Sequence, residues 1–126
     1  MKTDKREILC VDDDQDFLDS MRIIIENGGY IVRTAHSAEE GLKQYKAARP
    51  DLVIVDLMME EVDSGVNFVK EIRALGPTPP VYMLSSVGDG LTLSTDYSVL
   101  GLAGVLQKPI NPQTLLSTLK VKLQVR

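Results

Sequence analysis

Residues 51–65 read DLVIVDLMMEEVDSG, and the fold turns on how Leu52-Val53-Ile54-Val55 and the carboxylate that follows, Asp56, are understood. Four apolar residues stand in a row with no polar residue between them. A half-exposed strand alternates, whereas a strand covered on both faces reads as a continuous apolar run. This stretch is therefore a buried strand, and its charge sits at the carboxyl end.

Three other apolar runs share that character. Ile8-Leu9-Cys10-Val11, Val81 to Leu84 and Gly104 to Gln107 read as strands, and Tyr30 to Thr34 reads as a further one, rich in β-branched residues. Helical patterns lie between them. Asp16 to Asn27 places Phe17, Leu18, Met21, Ile24 and Ile25 on one face, and Gly28-Gly29 supplies the stop. Ser37 opens a helix that runs to about Ala48, with Ala38, Leu42 and Tyr45 inward and Pro50 ending it; Glu40, three residues on, completes a capping box. Gly65 to Leu75 carries the stripe Phe68, Val69, Ile72 and Leu75. A weak helix is expected near Leu91 to Leu100. Asn111 caps the last helix, with Pro112 at its first position and Leu115, Leu116, Leu119 and Leu123 inward. The pattern is βα five times over, which predicts a doubly wound α/β domain with a parallel sheet covered on both faces.

The chain has 126 residues, 44% hydrophobic and 25% charged, enough for one domain with one core. Its net charge of −4 and lack of a basic cluster argue against nucleic acid as a partner. No apolar run approaches the ~18 residues of a membrane span, and the polar N-terminus lacks a signal region. A cytoplasmic location without a membrane is expected. Cys10, the single cysteine, has no internal partner and reads as buried and inert.

A parallel sheet gathers the residues past each strand at one edge, where such sheets bind ligands. Those residues are Asp12, Asp13 and Asp14, then Asp56, then Ser85 and Ser86, then Lys108 and Pro109. Clustered carboxylates repel one another unless a cation joins them, and hard oxygen donors favour Mg²⁺. A metal with open positions, a mobile lysine and a hydroxyl suit phosphoryl oxygens. Asp56, alone on a central strand, is the best acceptor for a covalent aspartyl phosphate, and the Asp12–Asp13 pair suits metal. Ser86 reads as a small residue permitting access, His36 as a surface group, and Asp14 as exposed or helix-capping.

The pieces ILCVDDD, LVIVDLMM, VYMLSS and GVLQKP, taken in order, resemble the receiver domain of two-component response regulators over essentially the whole chain. The resemblance implies a flavodoxin-like, three-layer fold with strand order 2-1-3-4-5. It implies that Asp12 and Asp13 position Mg²⁺ together with Asp56 and the Met58 backbone carbonyl. Asp56 would take a phosphoryl group from a phosphohistidine on a sensor histidine kinase or phosphotransfer protein. Ser85 would be the switch hydroxyl, and Lys108 would bond the phosphoryl group, with a cis peptide to Pro109. The expectation is a single receiver domain over residues 1–126 with no effector domain. It would catalyse only its own phosphorylation and dephosphorylation, as a monomer or a phosphorylation-dependent dimer, and signal by contact with a downstream protein.

Three departures stand out. Glu60 and Ser64 occupy places where the family often has proline and glycine, and the glycine comes one residue later, at Gly65. Val105 stands where a tyrosine or phenylalanine usually changes position on activation. Residues 87–100 are unusual for a surface most receivers use for partners. Val105 and the unusual residues 87–100 motivate an alternative, an interaction module that is never phosphorylated. A second alternative, a haloacid-dehalogenase-like phosphohydrolase, rests on Asp12-x-Asp14 and lacks acidic residues at Ser85-Ser86. A flavodoxin-like FMN carrier would place the FMN phosphate against three aspartates.

Overall fold

The structure is a computed structural model that describes residues 5–57, 59, 64–86 and 101–123. Strand β1 (Glu7–Val11) leads to α1 (Gln15–Asn27), β2 (Ile31–Ala35), α2 (Ala38–Ala47), β3 (Leu52–Asp56) and α3 (Ser64–Ala74). Then come β4 (Val81–Ser86), β5 (Gly104–Lys108) and α4 (Pro112–Lys122). The five strands form one sheet in the order β2-β1-β3-β4-β5, and every neighbouring pair is parallel. The expected doubly wound sheet and its order are both present. The helix expected near residues 91–100 lies outside the described residues.

Side-chain alternation along the strands divides the core in two. Ile8, Cys10, Ile54, Tyr82 and Leu84 face one layer, where Leu18, Met21 and Ile25 of α1 meet Leu115 and Leu119 of α4. Leu9, Val11, Val53, Val55 and Met83 face the other, against Tyr45 of α2 and Phe68, Val69 and Ile72 of α3. Every residue of β3 is buried, which is why its sequence shows no alternation. Cys10 is fully buried, and burial with the nearby Asp12 carboxylate pushes its thiol far above its usual pKa, so it is inert as expected.

The helix caps are set locally. Asp14 accepts a hydrogen bond from the Phe17 N–H, Ser37 from the Glu40 N–H, and Asn111 from the Thr114 N–H. The capping box at α2 differs from expectation, because Glu40 Oε1 accepts from the backbone N–H of His36, one residue ahead of the cap. The ring of His36 also faces Glu40 and Gln15 at the surface. At the end of α1, Gly29 takes φ 94°, the left-handed turn that only glycine adopts without strain.

Two other expectations are corrected. Leu75 is exposed rather than part of the inner stripe of α3, because the helix ends at Ala74 and the chain turns away through Gly76. Strand β4 does not stop at Leu84. Ser85 and Ser86 continue the ladder opposite Gln107 and Lys108 of β5, which itself runs through Lys108. Backbone pairing, not the end of the apolar run, sets where these strands stop. Among the described residues no helix is long and apolar enough to cross a membrane.

Candidate functional site

The register of the sheet places the site. Asp56 ends β3 opposite Leu84 of β4, and the Leu57 N–H donates to the Leu84 carbonyl at 2.9 Å. Asp12 follows β1, its N–H held by the Ala35 carbonyl at 3.0 Å. Lys108 closes β5. All three therefore arrive at the carboxyl edge, near the crossing from β1 to β3 where the direction of strand addition reverses.

Side chains then converge. The Lys108 ammonium lies 2.8 Å from Asp12 Oδ2 and 3.6 Å from Asp56 Oδ1. The contact with Asp12 is a close ion pair rather than an aligned hydrogen bond. Asp12 Oδ1 accepts from the Asp14 N–H at 2.9 Å, so the acidic loop is folded onto its own first carboxylate. Asp12, Asp13 and Asp56 each offer a carboxylate oxygen, and these lie within 4.8 Å of one another. Asp12 and Asp56 are buried, and Asp13 is exposed at the mouth.

The electrostatics are strained. Burial drives the Asp12 carboxyl above its ordinary pKa, against the lowering effects of Lys108 and the Asp14 N–H. Burial also disfavours the Lys108 ammonium, but Asp12, Asp56 and Asp14 outweigh that and leave it above its ordinary value. Three carboxylates against one ammonium leave two negative charges uncompensated. A divalent cation with hard oxygen preference matches that deficit and that donor set, so the residues present fit Mg²⁺.

Of the other expected site residues, Ser85 is buried in β4, one residue past the partner of Asp56. Strand alternation puts its side chain on the face of Val81 and Met83. Ser86 instead lies opposite Lys108 and lines a cleft of about 480 Å³ with Lys108, Phe17, Met21, Ile24 and Ile110. The Lys108–Pro109 peptide is cis, as the resemblance implied. Asp14 is the exposed N-cap of α1. Met58, whose carbonyl was expected on the metal, lies outside the described residues.

Two neighbours of the site were not assigned a part in it from sequence. The ring of Phe17 lies under the Lys108 ammonium, 4.3 Å from Nζ to the ring centroid. In the sequence it counted only as one of the inward residues of α1, and an aromatic at helical spacing gives no sign of a lysine above it. Gly65 packs on the backbone just past Asp56, with its N–H donating to the Leu57 carbonyl at 3.1 Å. A Cβ there would lie 2.2 Å from the Asp56 carbonyl oxygen. Its displacement by one residue from the family's place was visible, but this contact was not.

An open parallel sheet of this order, with an acidic pocket and a lysine at its carboxyl edge, defines a flavodoxin-like α/β domain with a charged site at its switch point. The chain belongs to the response regulator receiver domain family, whose model matches residues 8–120. It is 29% identical over 119 residues to the alkaline phosphatase synthesis transcriptional regulatory protein PhoP of Bacillus subtilis, covering 94% of this chain and 49% of PhoP. It is 32% identical over 123 residues to the transcriptional regulatory protein ZraR of Escherichia coli, covering 98% of this chain and 27% of ZraR. The chain thus spans about half or less of these relatives. Among solved structures, it matches the chemotaxis protein CheY4 of Vibrio cholerae with a TM-score of 0.84 and 32% identity, covering 94% of this chain and 98% of that one. A CheY-like receiver domain protein of Methanospirillum hungatei matches with a TM-score of 0.80 and 32% identity, covering 94% of each chain.

Proposed function

We propose that this receiver domain is a phosphorylatable switch whose acceptor is Asp56. The observation that carries the reading is the meeting of Lys108 with Asp12 at 2.8 Å and Asp56 at 3.6 Å, beside Asp13, at the carboxyl edge of the sheet. Mg²⁺ would be held by Asp12, Asp13 and Asp56, with the Met58 carbonyl as the further ligand. When bound, it supplies positive charge for the phosphoryl oxygens.

The donor is a phosphohistidine on a sensor histidine kinase or phosphotransfer protein. A carboxylate oxygen of Asp56 attacks phosphorus, the P–N bond breaks, and its electron pair leaves with the imidazole nitrogen. The product is a mixed anhydride on Asp56. Lys108 donates to a phosphoryl oxygen, shifting from the carboxylates it pairs in the resting site. Ser85, buried one residue past the partner of Asp56, is the hydroxyl that follows the phosphoryl group. Attack of water on phosphorus releases phosphate and restores the carboxylate, so the only substrate is the domain itself. Output passes to a downstream protein by contact, from a monomer or a phosphorylation-dependent dimer, in the cytoplasm.

The test is incubation with radiolabelled acetyl phosphate, with Mg²⁺ or with EDTA. Label is expected on the wild-type protein only with Mg²⁺, and is expected to be absent from Asp56→Ala. Equal label on Asp56→Ala would remove the assignment. Failure of the wild type to bind Mg²⁺ and to take label would favour the unphosphorylated interaction module suggested by Val105.

A further inference from the structure

We propose that Phe17 is a positioning residue for Lys108, its ring face holding the ammonium over the acidic site independently of which carboxylate the lysine pairs. This rests on the phosphoacceptor reading of Asp56 and extends it to a residue that does not touch the reacting atoms.

Lys108 must be kept in place while its partners change. A lysine ammonium sits on a flexible stem and has no geometric preference of its own. In the resting site Asp12 and Asp56 hold it at 2.8 and 3.6 Å. Those same oxygens are the ones a metal and a phosphoryl group require, so the lysine loses its partners as the site fills. The Phe17 ring, 4.3 Å away, competes for neither. A ring face attracts a cation without prescribing the direction of its N–H bonds. The ammonium can therefore turn towards a new oxygen without leaving the site.

The placement of Phe17 is tied to the acidic loop by a short chain of hydrogen bonds. The Asp14 N–H donates to Asp12 Oδ1 at 2.9 Å, and the Phe17 N–H donates to Asp14 Oδ1 at 3.3 Å. The loop that presents the first acid thereby also sets the first turn of α1 and the ring upon it. Lys108 keeps only 19% of its side chain exposed, so the contact is partly shielded from water, where cation–π attraction is stronger.

The test uses acetyl phosphate as donor, because Phe17 also lines the cleft beside Lys108 and a protein donor would add effects of docking. Phe17→Leu keeps an apolar side chain and removes the π face. Its labelling rate is expected to fall about fivefold, within the range such contacts contribute, with the concentration of acetyl phosphate giving half-maximal rate unchanged. Phe17→Tyr is expected to restore the rate. In a Lys108→Met background, Phe17→Leu is expected to cost nothing more.

A second readout needs no phosphorylation. In the wild type the ring current of Phe17 is expected to move the Lys108 ε-methylene proton resonances upfield, a shift lost in Phe17→Leu and kept in Phe17→Tyr. Wild-type rate in Phe17→Leu, an equal loss on the Lys108→Met background, or unshifted Lys108 resonances in the wild type each overturns the proposal. If Phe17→Leu does not fold, the wild-type resonances and Phe17→Tyr decide. If the wild type takes no label while the Lys108 shift is present, the phosphoacceptor reading fails and the contact stands.

Discussion

Replacing Gly65 by alanine probes the packing that places Asp56. A Cβ at this position would lie 2.2 Å from the Asp56 carbonyl oxygen, 2.7 Å from the Leu57 carbonyl oxygen and 2.9 Å from the Leu57 Cα. All three are backbone atoms, so no rotamer change relieves the clash. Either the start of α3 backs away by about 1 Å or the end of β3 does. Overpacking of this kind costs about 1–3 kcal/mol, and stretching the Gly65–Leu57 hydrogen bond adds roughly 1 more. The expected loss is about 2–4 kcal/mol, within the stability of an ordinary domain, so the variant is expected to fold. The displaced segment carries Asp56, the proposed acceptor. A misplacement of about 1 Å costs on the order of a hundredfold in rate. Urea unfolding and the initial rate of labelling by acetyl phosphate with Mg²⁺ read the two effects. Gly29→Ala is the control, since Gly29 has φ 94° and nothing within 4 Å of its would-be Cβ. It is expected to lose stability through backbone strain and to label normally. An unchanged urea midpoint in Gly65→Ala would refute the packing argument. Lost stability with a normal labelling rate would refute its transmission to Asp56.

Three further outcomes are expected. Asp14→Ala removes the N-cap of α1 and is expected to cost about 1 kcal/mol in urea unfolding; retained stabilisation by Mg²⁺ is expected, and its loss would make Asp14 a ligand rather than a cap. For Lys108, whose folded pKa lies above 10.5, the stabilisation is fully present below that value and is lost as pH rises through the folded one. Urea midpoints should fall there in the wild type and not in Lys108→Met, and a midpoint rising with pH would contradict the ion pair. For Asp12, raised from 3.8, the folded state binds the extra proton between the two values, so this group's contribution falls as pH climbs through that window. An NMR titration of the Asp12 carboxyl carbon should give a value above 3.8, and a lower one would contradict its burial.

The part of the fold most legible in sequence was the part most buried. Leu52 to Val55 announced a central strand because both faces are covered, and the same holds for Ile8 to Val11. The edge strand β2 was less sharply bounded, since Ile31 is exposed and its pattern mixes polar and apolar residues. The acids and the lysine were legible because each stands just past an apolar run, and a parallel sheet brings those ends together. Ser85 and Ser86 were harder to place. Their hydroxyls look like the end of a strand, while their backbones remain paired to Gln107 and Lys108.

What sequence could not supply was proximity between residues whose types have no bearing on each other. Nothing in the apolar stripe of α1 points Phe17 at Lys108, 91 positions away, because the contact depends on the sheet bringing the end of β5 to the same edge as the start of α1. Val105 was legible as a departure, and the ladder sets it opposite Met83, with a β-branched side chain in place of the family's ring.

The central claim is that Asp56, rather than a neighbouring acid, receives the phosphoryl group. Mass spectrometry of peptides from protein treated with acetyl phosphate and Mg²⁺ tests it most directly. Reduction with borohydride before digestion would mark the acyl phosphate, and Asp56 is predicted to be the residue converted. Conversion of Asp12 or Asp13 with Asp56 intact would contradict the account.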